Sequence, residues 1–283
     1  MKRSRIPDLP GFEVVDHPGV VVLARKEIVP WVRYVMEGGA TLYEAAAKDR
    51  DRFELPGRMP VFAIPSKRGR SERSSGGGGP GSESGANGTS AGGRWAVRHY
   101  SRGGRIFPTL LGDRYLGLGL PRPHHEVRVS EEARSRGVPT PRILAAALYP
   151  APPFYRGDLV TEFVPQSKDL LGTLFDPRKT GAGGASERLE ALRAAGALIQ
   201  TLQGAGLLHS DLHAGNILLR WEGTLPRAQV LDLDRSRILP KGRHAPPGPM
   251  LSRLTHSLKK MQRRTGLRLT EGEWAALEKA ALG

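Results

Sequence analysis

The sequence contains no cysteine among its 283 residues. This absence excludes disulfide bonds, thiolate catalysis and cysteine-ligated zinc or iron–sulfur sites, and it fits a reducing cytoplasm. Aromatic residues are also scarce, at 6%. No nucleic-acid-binding motif accompanies them, so recognition of stacked bases is disfavoured. No window approaches the ~18 consecutive apolar residues needed to span a bilayer. We therefore expect a soluble or peripheral protein.

Acidic residues are few relative to basic ones. There are 28 Asp and Glu against 43 Lys and Arg, which gives a formal net charge of +15. So large an excess favours polyanionic partners such as nucleotide phosphates, nucleic acid or an anionic membrane surface. An arginine-rich proteome would produce the same balance without any specific partner.

Large apolar residues are almost absent from residues 66–93, which are rich in Gly, Ser, Arg and Glu. Such a segment cannot bury enough surface to offset its ordering entropy, so we predict a disordered insertion. A phosphate-binding loop is the alternative. It requires a few glycines at fixed offsets between rigid elements, and this tract is too long and too soft for that.

Hydrophobic periodicity divides the rest of the chain into two parts. Alternating patterns predict strands within residues 12–25, 54–64, 94–100, 143–148 and 158–164, with a helix at 125–136. A 3.6-residue period predicts helices at 186–204, 251–264 and from about 270 onwards. This order predicts an α+β, two-lobed, protein-kinase-like fold with a β-rich N-lobe and a helical C-lobe. We assign residues 1–50 to an N-terminal extension, 51–164 to the N-lobe including the insertion, and 165–283 to the C-lobe.

One stretch, residues 208–219, carries the strongest chemical signal. It places an apolar residue before His-x-Asp, an Asn five positions after the Asp, and then an apolar run, which is the pattern of a kinase catalytic loop. Asp211 is the candidate catalytic base. Asn216 and the later Asp232 are candidate Mg²⁺ ligands beside ATP, because Mg²⁺ takes hard oxygen donors.

A transition-metal site is the alternative interpretation of the same stretch. His209, Asp211 and His213 fall within five residues of one another. However, such a site needs further ligands from elsewhere in the chain, and the sequence offers no evident ones. A structural role for His209, bracing the loop backbone, is the stronger interpretation.

Four residues of the N-terminal part are candidates for binding the nucleotide. Arg98 lies on a predicted strand and Glu126 opens the next helix, so an ion pair between them could hold the α- and β-phosphates. Arg replaces the usual Lys, but it is a permanent, bidentate phosphate ligand. A solvated strand position is the alternative for Arg98. Gly57 lies in a turn that could cover the phosphates, and Glu162 falls at the joint, where backbone groups would meet adenine.

Several segments resemble the lipopolysaccharide kinase family of Gram-negative bacteria, and within it the kinases of 3-deoxy-D-manno-octulosonic acid (Kdo). The resemblance covers roughly residues 50–240. The segments that carry it are 95–104, 112–116, Glu126 with 137–141, 158–162, 209–216 and 231–235. Family members carry Arg at the position of Arg98, so this departure from protein kinases is expected.

The resemblance implies ATP-dependent phosphorylation of a Kdo hydroxyl in the lipopolysaccharide inner core, at the cytoplasmic face of the inner membrane. The implied partners are Kdo-lipid A, or a related anionic glycolipid, and the anionic membrane surface. Arg102, Arg105, Arg114 and the helix at 251–264 are candidates for that contact, although packing on the C-lobe competes for the helix. The alternatives are another small-molecule or protein kinase, or a non-enzyme such as a pseudokinase or a basic nucleic-acid-binding protein.

Overall fold

The computed structural model describes residues 9–55, 60–66, 93–101, 113–116, 120–178 and 182–283. The chain forms two compact units, Met1–His124 with Ile143–Phe163 and His125–Arg142 with Val164–Gly283. The first is rich in strands and the second in helices. Each has its own cluster of buried apolar side chains. The predicted α+β class, with a β-rich N-terminal part and a helical C-terminal part, is confirmed.

The first unit is built on an antiparallel sheet. Its elements are β1 (Phe12–His17), β2 (Val20–Arg25), α1 (Val29–Glu37), α2 (Leu42–Ala47), β3 (Phe53–Leu55), β4 (Val61–Pro65), β5 (Arg94–His99), β6 (Tyr115–Leu116), β7 (Ile143–Ala151) and β8 (Phe154–Glu162). The strand order is β1-β2-β7-β8-β5-β4-β3, and β6 pairs with β8. β7 is buried along seven consecutive residues, as expected of a central strand.

Residues 9–50 belong to this sheet unit and do not form a separate extension. β2 pairs with β7 through Val21 and Leu148, which are far apart in sequence. The buried faces of α1 and α2 pack against the same cluster as Val22 and Leu144. The segment predicted as an extension therefore supplies two strands and two helices of the first unit.

The predicted insertion separates two neighbouring strands. Ser66 N donates to Gly93 O at 2.8 Å, and Pro65 pairs with Arg94 where β4 meets β5. The two ends of the tract therefore meet, so β4 and β5 pair directly on either side of it. The residues between these ends lie outside the described part of the chain, as does Gly57, which falls between β3 and β4 in the sequence.

The second unit is mainly helical. Its elements are α3 (Arg122–Ser135), which begins in the last residues of the first unit, β9 (Ser167–Asp169), α4 (Leu170–Leu174), α5 (Ala182–Gly204), β10 (Leu207–Leu208), β11 (Ile217–Glu222), β12 (Leu225–Val230), β13 (Arg237–Ile238), α6 (Pro247–Thr265) and α7 (Glu271–Leu282). Val129 and Ala133 of α3 share a core with Leu192 of α5. Most of the helix predicted for the N-lobe therefore packs with the second unit.

The core of this unit is built on close contact between α5 and α7. A Cβ on Gly196 would lie 2.6 Å from Ala280 Cβ and 2.6 Å from Leu277 O, so only glycine allows this approach. A capping box joins Thr270 and Glu273 at the start of α7, as the sequence predicts. Glu273 Oε1 also accepts from Arg188 Nε at 2.8 Å. These contacts hold α5 and α7 against each other, and α5 leads directly into β10 and the loop that contains Asp211.

Candidate active site

The loop after β10 is held in shape by the ring of His209. Its Nε2 lies 3.0 Å from Leu231 O, and Asp211 N donates to Nδ1 at 3.2 Å. Because Nδ1 accepts, the proton must be on Nε2, which donates to the Leu231 carbonyl. The ring is fully buried. Both nitrogens are therefore occupied, which confirms the predicted bracing role and excludes His209 as a metal ligand.

This arrangement predicts how His209 affects stability as the pH changes. Burial lowers the pKa of His209, and the smaller opposing effects of the Leu231 carbonyl and the nearby carboxylates do not restore it. A lowered folded-state pKa gives stability that is present above the unfolded value of about 6.5 and is lost as the pH falls through the folded value. His209→Ala should cost about 1–3 kcal/mol at neutral pH, because it leaves the partly buried Leu231 carbonyl and Asp211 amide without their partner.

The measurement is urea denaturation of both proteins at several pH values, with hydrogen exchange to locate the change. The loss of unfolding free energy caused by His209→Ala should become smaller as the pH falls below neutrality. The loss of protection against hydrogen exchange should centre on residues 207–217. His244→Ala, at an exposed position, should have little effect at any pH. A cost for His209→Ala that stays constant with pH contradicts the assigned tautomer.

Asn216 joins Asp211 to the strand before Asp232. Asn216 Nδ2 donates to Asp211 O at 3.0 Å, and Leu231 N donates to Asn216 O at 2.9 Å. His213 caps the short 3-10 helix that carries Asn216, because its Nδ1 accepts from Gly215 N at 3.1 Å. The structure thus brings together the three residues for which the sequence predicts chemistry.

Asp232 occupies an unusual backbone conformation. Its φ and ψ are 60° and 65°, in the left-handed region. This conformation costs a non-glycine residue of the order of 1–2 kcal/mol, and such strain clusters at functional sites. The next amide, Leu233 N, donates to Oε1 of the buried Glu126 at 3.3 Å. Glu126 therefore supports the turn that presents Asp232.

The donor set fits Mg²⁺ better than a transition metal. The Asn216 amide nitrogen is engaged with the Asp211 carbonyl, so the side chain keeps its oxygen as the possible metal ligand. Asp232 adds a carboxylate, and both are hard oxygen donors. The described residues include no group of three or more His, Cys, Asp or Glu side chains suited to a metal. Mg²⁺ is usually bound by one or two protein oxygens, and substrate phosphates and waters complete its coordination shell.

Two of the predicted nucleotide-binding residues, Arg98 and Glu162, lie on paired strands of the first unit. The guanidinium of Arg98 on β5 lies 4.6 Å from the centroid of the Tyr100 ring. Glu162 is exposed at the end of β8, where it pairs with Trp95. Arg98 and Glu126 belong to different units, so their ion pair stays a prediction, as do the roles of Glu162 and Gly57.

A buried ionic network beside Arg98 was not predicted. His99 Nδ1 lies 2.6 Å from Asp158 Oδ1, and His99 Nε2 lies 3.0 Å from Asp113 Oδ2. Tyr149 Oη donates to Asp158 Oδ2 at 2.8 Å, and Tyr43 N donates to the same oxygen at 2.9 Å. The one sequence signal was Asp158 itself, a carboxylate directly before the apolar pair Leu159 and Val160 of β8.

Comparison with known proteins identifies the chain. The model of the Lipopolysaccharide kinase (Kdo/WaaP) family matches residues 78–280, more than half of the sequence. The chain belongs to this family. Membership in the lipopolysaccharide kinase family confirms the recognition made from the sequence, the kinase-like fold and the phosphotransferase activity. Kinase activity in turn implies the use of ATP.

Individual proteins are similar to much of the chain. The chain is 33% identical over 187 residues to the 3-deoxy-D-manno-octulosonic acid kinase of Actinobacillus succinogenes, covering 65% of this chain and 73% of the relative. It is 30% identical over 192 residues to the enzyme of that name from Haemophilus influenzae strain 86-028NP, covering 65% and 74%. A solved structure of WaaP in complex with acyl carrier protein aligns with a TM-score of 0.49 at 15% identity, covering 92% and 88%.

Within the part of the chain that the structure describes, no helix combines the length and the apolar character needed to cross a bilayer.

Proposed function

We propose that the protein transfers the γ-phosphoryl group of ATP to a hydroxyl of Kdo in the lipopolysaccharide inner core. The observation that supports the proposal is the chain of hydrogen bonds that connects Asp211 to Asn216, and Asn216 to the residue before Asp232. We assign the role of base to the Asp211 carboxylate and Mg²⁺ binding to the side-chain oxygens of Asn216 and Asp232. The acceptor is inferred from the relatives, which are named as kinases of 3-deoxy-D-manno-octulosonic acid.

In the proposed reaction the acceptor hydroxyl oxygen bonds to the γ-phosphorus, and the bond to the bridging oxygen breaks to release ADP. Asp211 orients the hydroxyl and takes its proton. Asn216 and Asp232 would hold Mg²⁺, which would neutralise charge on the ATP phosphates. Arg98, paired with Glu126, contacts the α- and β-phosphates. Positioning and charge compensation supply most of the acceleration in this class of reaction.

The remaining nucleotide contacts are assigned to the first unit. We assign adenine binding to the backbone around Glu162. We propose that the turn that contains Gly57 covers the nucleotide phosphates. The acceptor is an anionic glycolipid, Kdo-lipid A or a close relative. The protein accordingly acts at the cytoplasmic face of the inner membrane, as a peripheral protein on an anionic surface. A net charge of +15 favours that location.

The test is transfer of labelled phosphate from ATP to purified Kdo-lipid A, read as a mass increase of one phosphate. Lipid A without Kdo is the matched control, and it should not be labelled. Chelation of Mg²⁺ should abolish transfer, and added Mg²⁺ should restore it. Transfer to an aminoglycoside or a protein, with none to Kdo-lipid A, indicates a different kinase. Binding of DNA without any transfer indicates a non-enzyme.

A further inference from the structure

Helix α6 has two faces with opposite character. Met250, Leu254 and Leu258 are completely buried in the core of the second unit. At ~100° per residue, Lys259 and Arg263 fall opposite this buried stripe, and Arg253, Lys260 and Arg264 fall along one flank of it. These five basic residues, called here the cationic face, are all exposed. The helix therefore packs on its own unit, and this contact leaves the cationic face uncovered.

The cationic face carries charge that nothing nearby neutralises. Among the described residues, none of its five members forms an ion pair with a carboxylate. The flanking sequence adds no acid, because residues 235–270 contain ten Lys and Arg and no Asp or Glu. In α5, by contrast, Arg188 and Arg193 each form an ion pair with a Glu side chain. An acid-free stretch of this length is suited to an external anionic partner.

One edge of the cationic face lies beside the catalytic loop. Ser257 Oγ accepts from Ala214 N at 3.3 Å, which joins α6 to the loop three residues after Asp211. Ser257 is one helical turn from Arg253 and from Lys260, within about 60° of each around the axis. Arg253, Lys260 and Arg264 form a row about 16 Å long on the side next to Ser257. A surface that contacts this row therefore lies next to the loop that carries Asp211.

We propose that the cationic face of α6 docks on the anionic headgroups of a lipid bilayer and brings the catalytic loop to the membrane plane. This inference rests on the proposed function, in which the acceptor is a glycolipid within such a bilayer. A straight row of cations on a rigid helix suits a flat anionic surface. Residues 235–270 contain no Phe, Trp or Tyr, so the face lacks the aromatic side chains that stack on single-stranded nucleic acid.

The experiment compares two triple variants of the full chain that remove the same charge. R253Q/K260Q/R264Q changes the row, and K26Q/R33Q/R220Q changes exposed cations elsewhere. Co-sedimentation uses vesicles with about 30% phosphatidylglycerol and vesicles of phosphatidylcholine alone. The row variant should partition onto anionic vesicles about 100-fold more weakly, since each cation near the surface contributes about 1 kcal/mol and 1.4 kcal/mol is tenfold. The control should change by less than about threefold, and neutral vesicles should bind neither.

Kinase assays separate this inference from the proposed function. The row variant should phosphorylate detergent-dispersed Kdo-lipid A at the wild-type rate and lose rate only when the acceptor is in anionic vesicles. Equal vesicle binding by the two triple variants overturns the docking proposal. So does a row variant that loses duplex DNA binding but keeps vesicle binding. If the wild type binds anionic vesicles through this face but phosphorylates no Kdo-lipid, the docking proposal stands and the proposed acceptor fails.

Discussion

Asp211→Asn is expected to lower the rate of phosphoryl transfer about 100- to 10,000-fold, the usual contribution of a positioned general base. The fold should not change, because the loop is held through the backbone of Asp211. The His209 ring accepts a hydrogen bond from the Asp211 amide, and the Asn216 side chain donates one to the Asp211 carbonyl. Within the described part of the chain, no hydrogen bond to the Asp211 carboxylate is formed. The substitution therefore removes the base and leaves its supports in place.

The assay is labelled transfer to Kdo-lipid A, with ATP binding and thermal unfolding measured on the same preparations. Glu37→Gln, a matched loss of one exposed carboxylate on α1, should keep full activity. Asp211→Asn should keep both the unfolding temperature and the affinity for ATP. An Asp211→Asn protein with more than about a tenth of the wild-type rate rules out the role of general base. A fall in activity matched by a fall in unfolding temperature assigns Asp211 to structure instead.

The catalytic loop could be predicted from the sequence because its groups lie within a few residues of one another. Asp211 and Asn216 are five positions apart, and the bond between them closes within the loop. The contacts that hold the loop are different. His209 reaches Leu231, which is 22 residues away, and Glu126 reaches Leu233, which is 107 residues away. No local sequence pattern predicts contacts across such separations, although the residue types of both partners can be read from the sequence.

The sheet could be predicted strand by strand but not in its order. Alternation identified β1 and β2, yet their place in the sheet depends on pairing with β7, which lies more than a hundred residues later. Residues 1–50 matched the family weakly and were therefore assigned to an extension. The apolar run in β2 and the buried face of α1 carried the opposite information, because such surfaces need partners.

Helix starts were predicted too late where proline begins the helix. α3 starts at Arg122 with Pro123 next to it, and α6 starts at Pro247. The predicted helices began at residues 125 and 251, so both prolines lay outside them. Proline is favoured in the first turn, where its missing N–H has no partner to lose. The two helices therefore extend further toward the N-terminus than periodicity alone indicated.

Asp158→Ala is expected to destabilise the first unit by about 3–5 kcal/mol, the usual cost of removing one member of a buried ion pair. Asp158 is fully buried and accepts from His99, Tyr149 Oη and Tyr43 N. Its removal leaves these donors without their acceptor. Asp113→Ala is the matched control. It removes the other carboxylate on the same imidazole, but that side chain is 34% exposed, so we expect about 1 kcal/mol or less.

The pH dependence of the free energy of unfolding shows how much of the cost of Asp158→Ala comes from the ion pair with His99. Burial alone lowers the pKa of His99, but the hydrogen bond and charge of Asp158, followed by those of Asp113, outweigh it and leave the pKa raised. A raised folded-state pKa gives stability that is fully present below about 6.5 and is lost as the pH rises through the folded value. The difference in the free energy of unfolding between wild type and Asp158→Ala should therefore become smaller as the pH rises from about 6.5 through the folded-state pKa of His99.

Urea denaturation from mildly acidic to alkaline pH measures this narrowing, and hydrogen exchange locates it. Protection should fall in α2, β5, β7 and β8 while α7 in the second unit keeps its protection, because the two units have separate cores. Asp158→Asn, which keeps the volume of the side chain and loses its charge, provides a second measurement if the Ala variant does not fold. Equal costs for Asp158→Ala and Asp113→Ala, or a difference that does not change with pH, contradict an ion pair centred on His99. The network joins β5, which carries Arg98, to α2 and β8, so its loss should also weaken ATP binding if Arg98 contacts the phosphates.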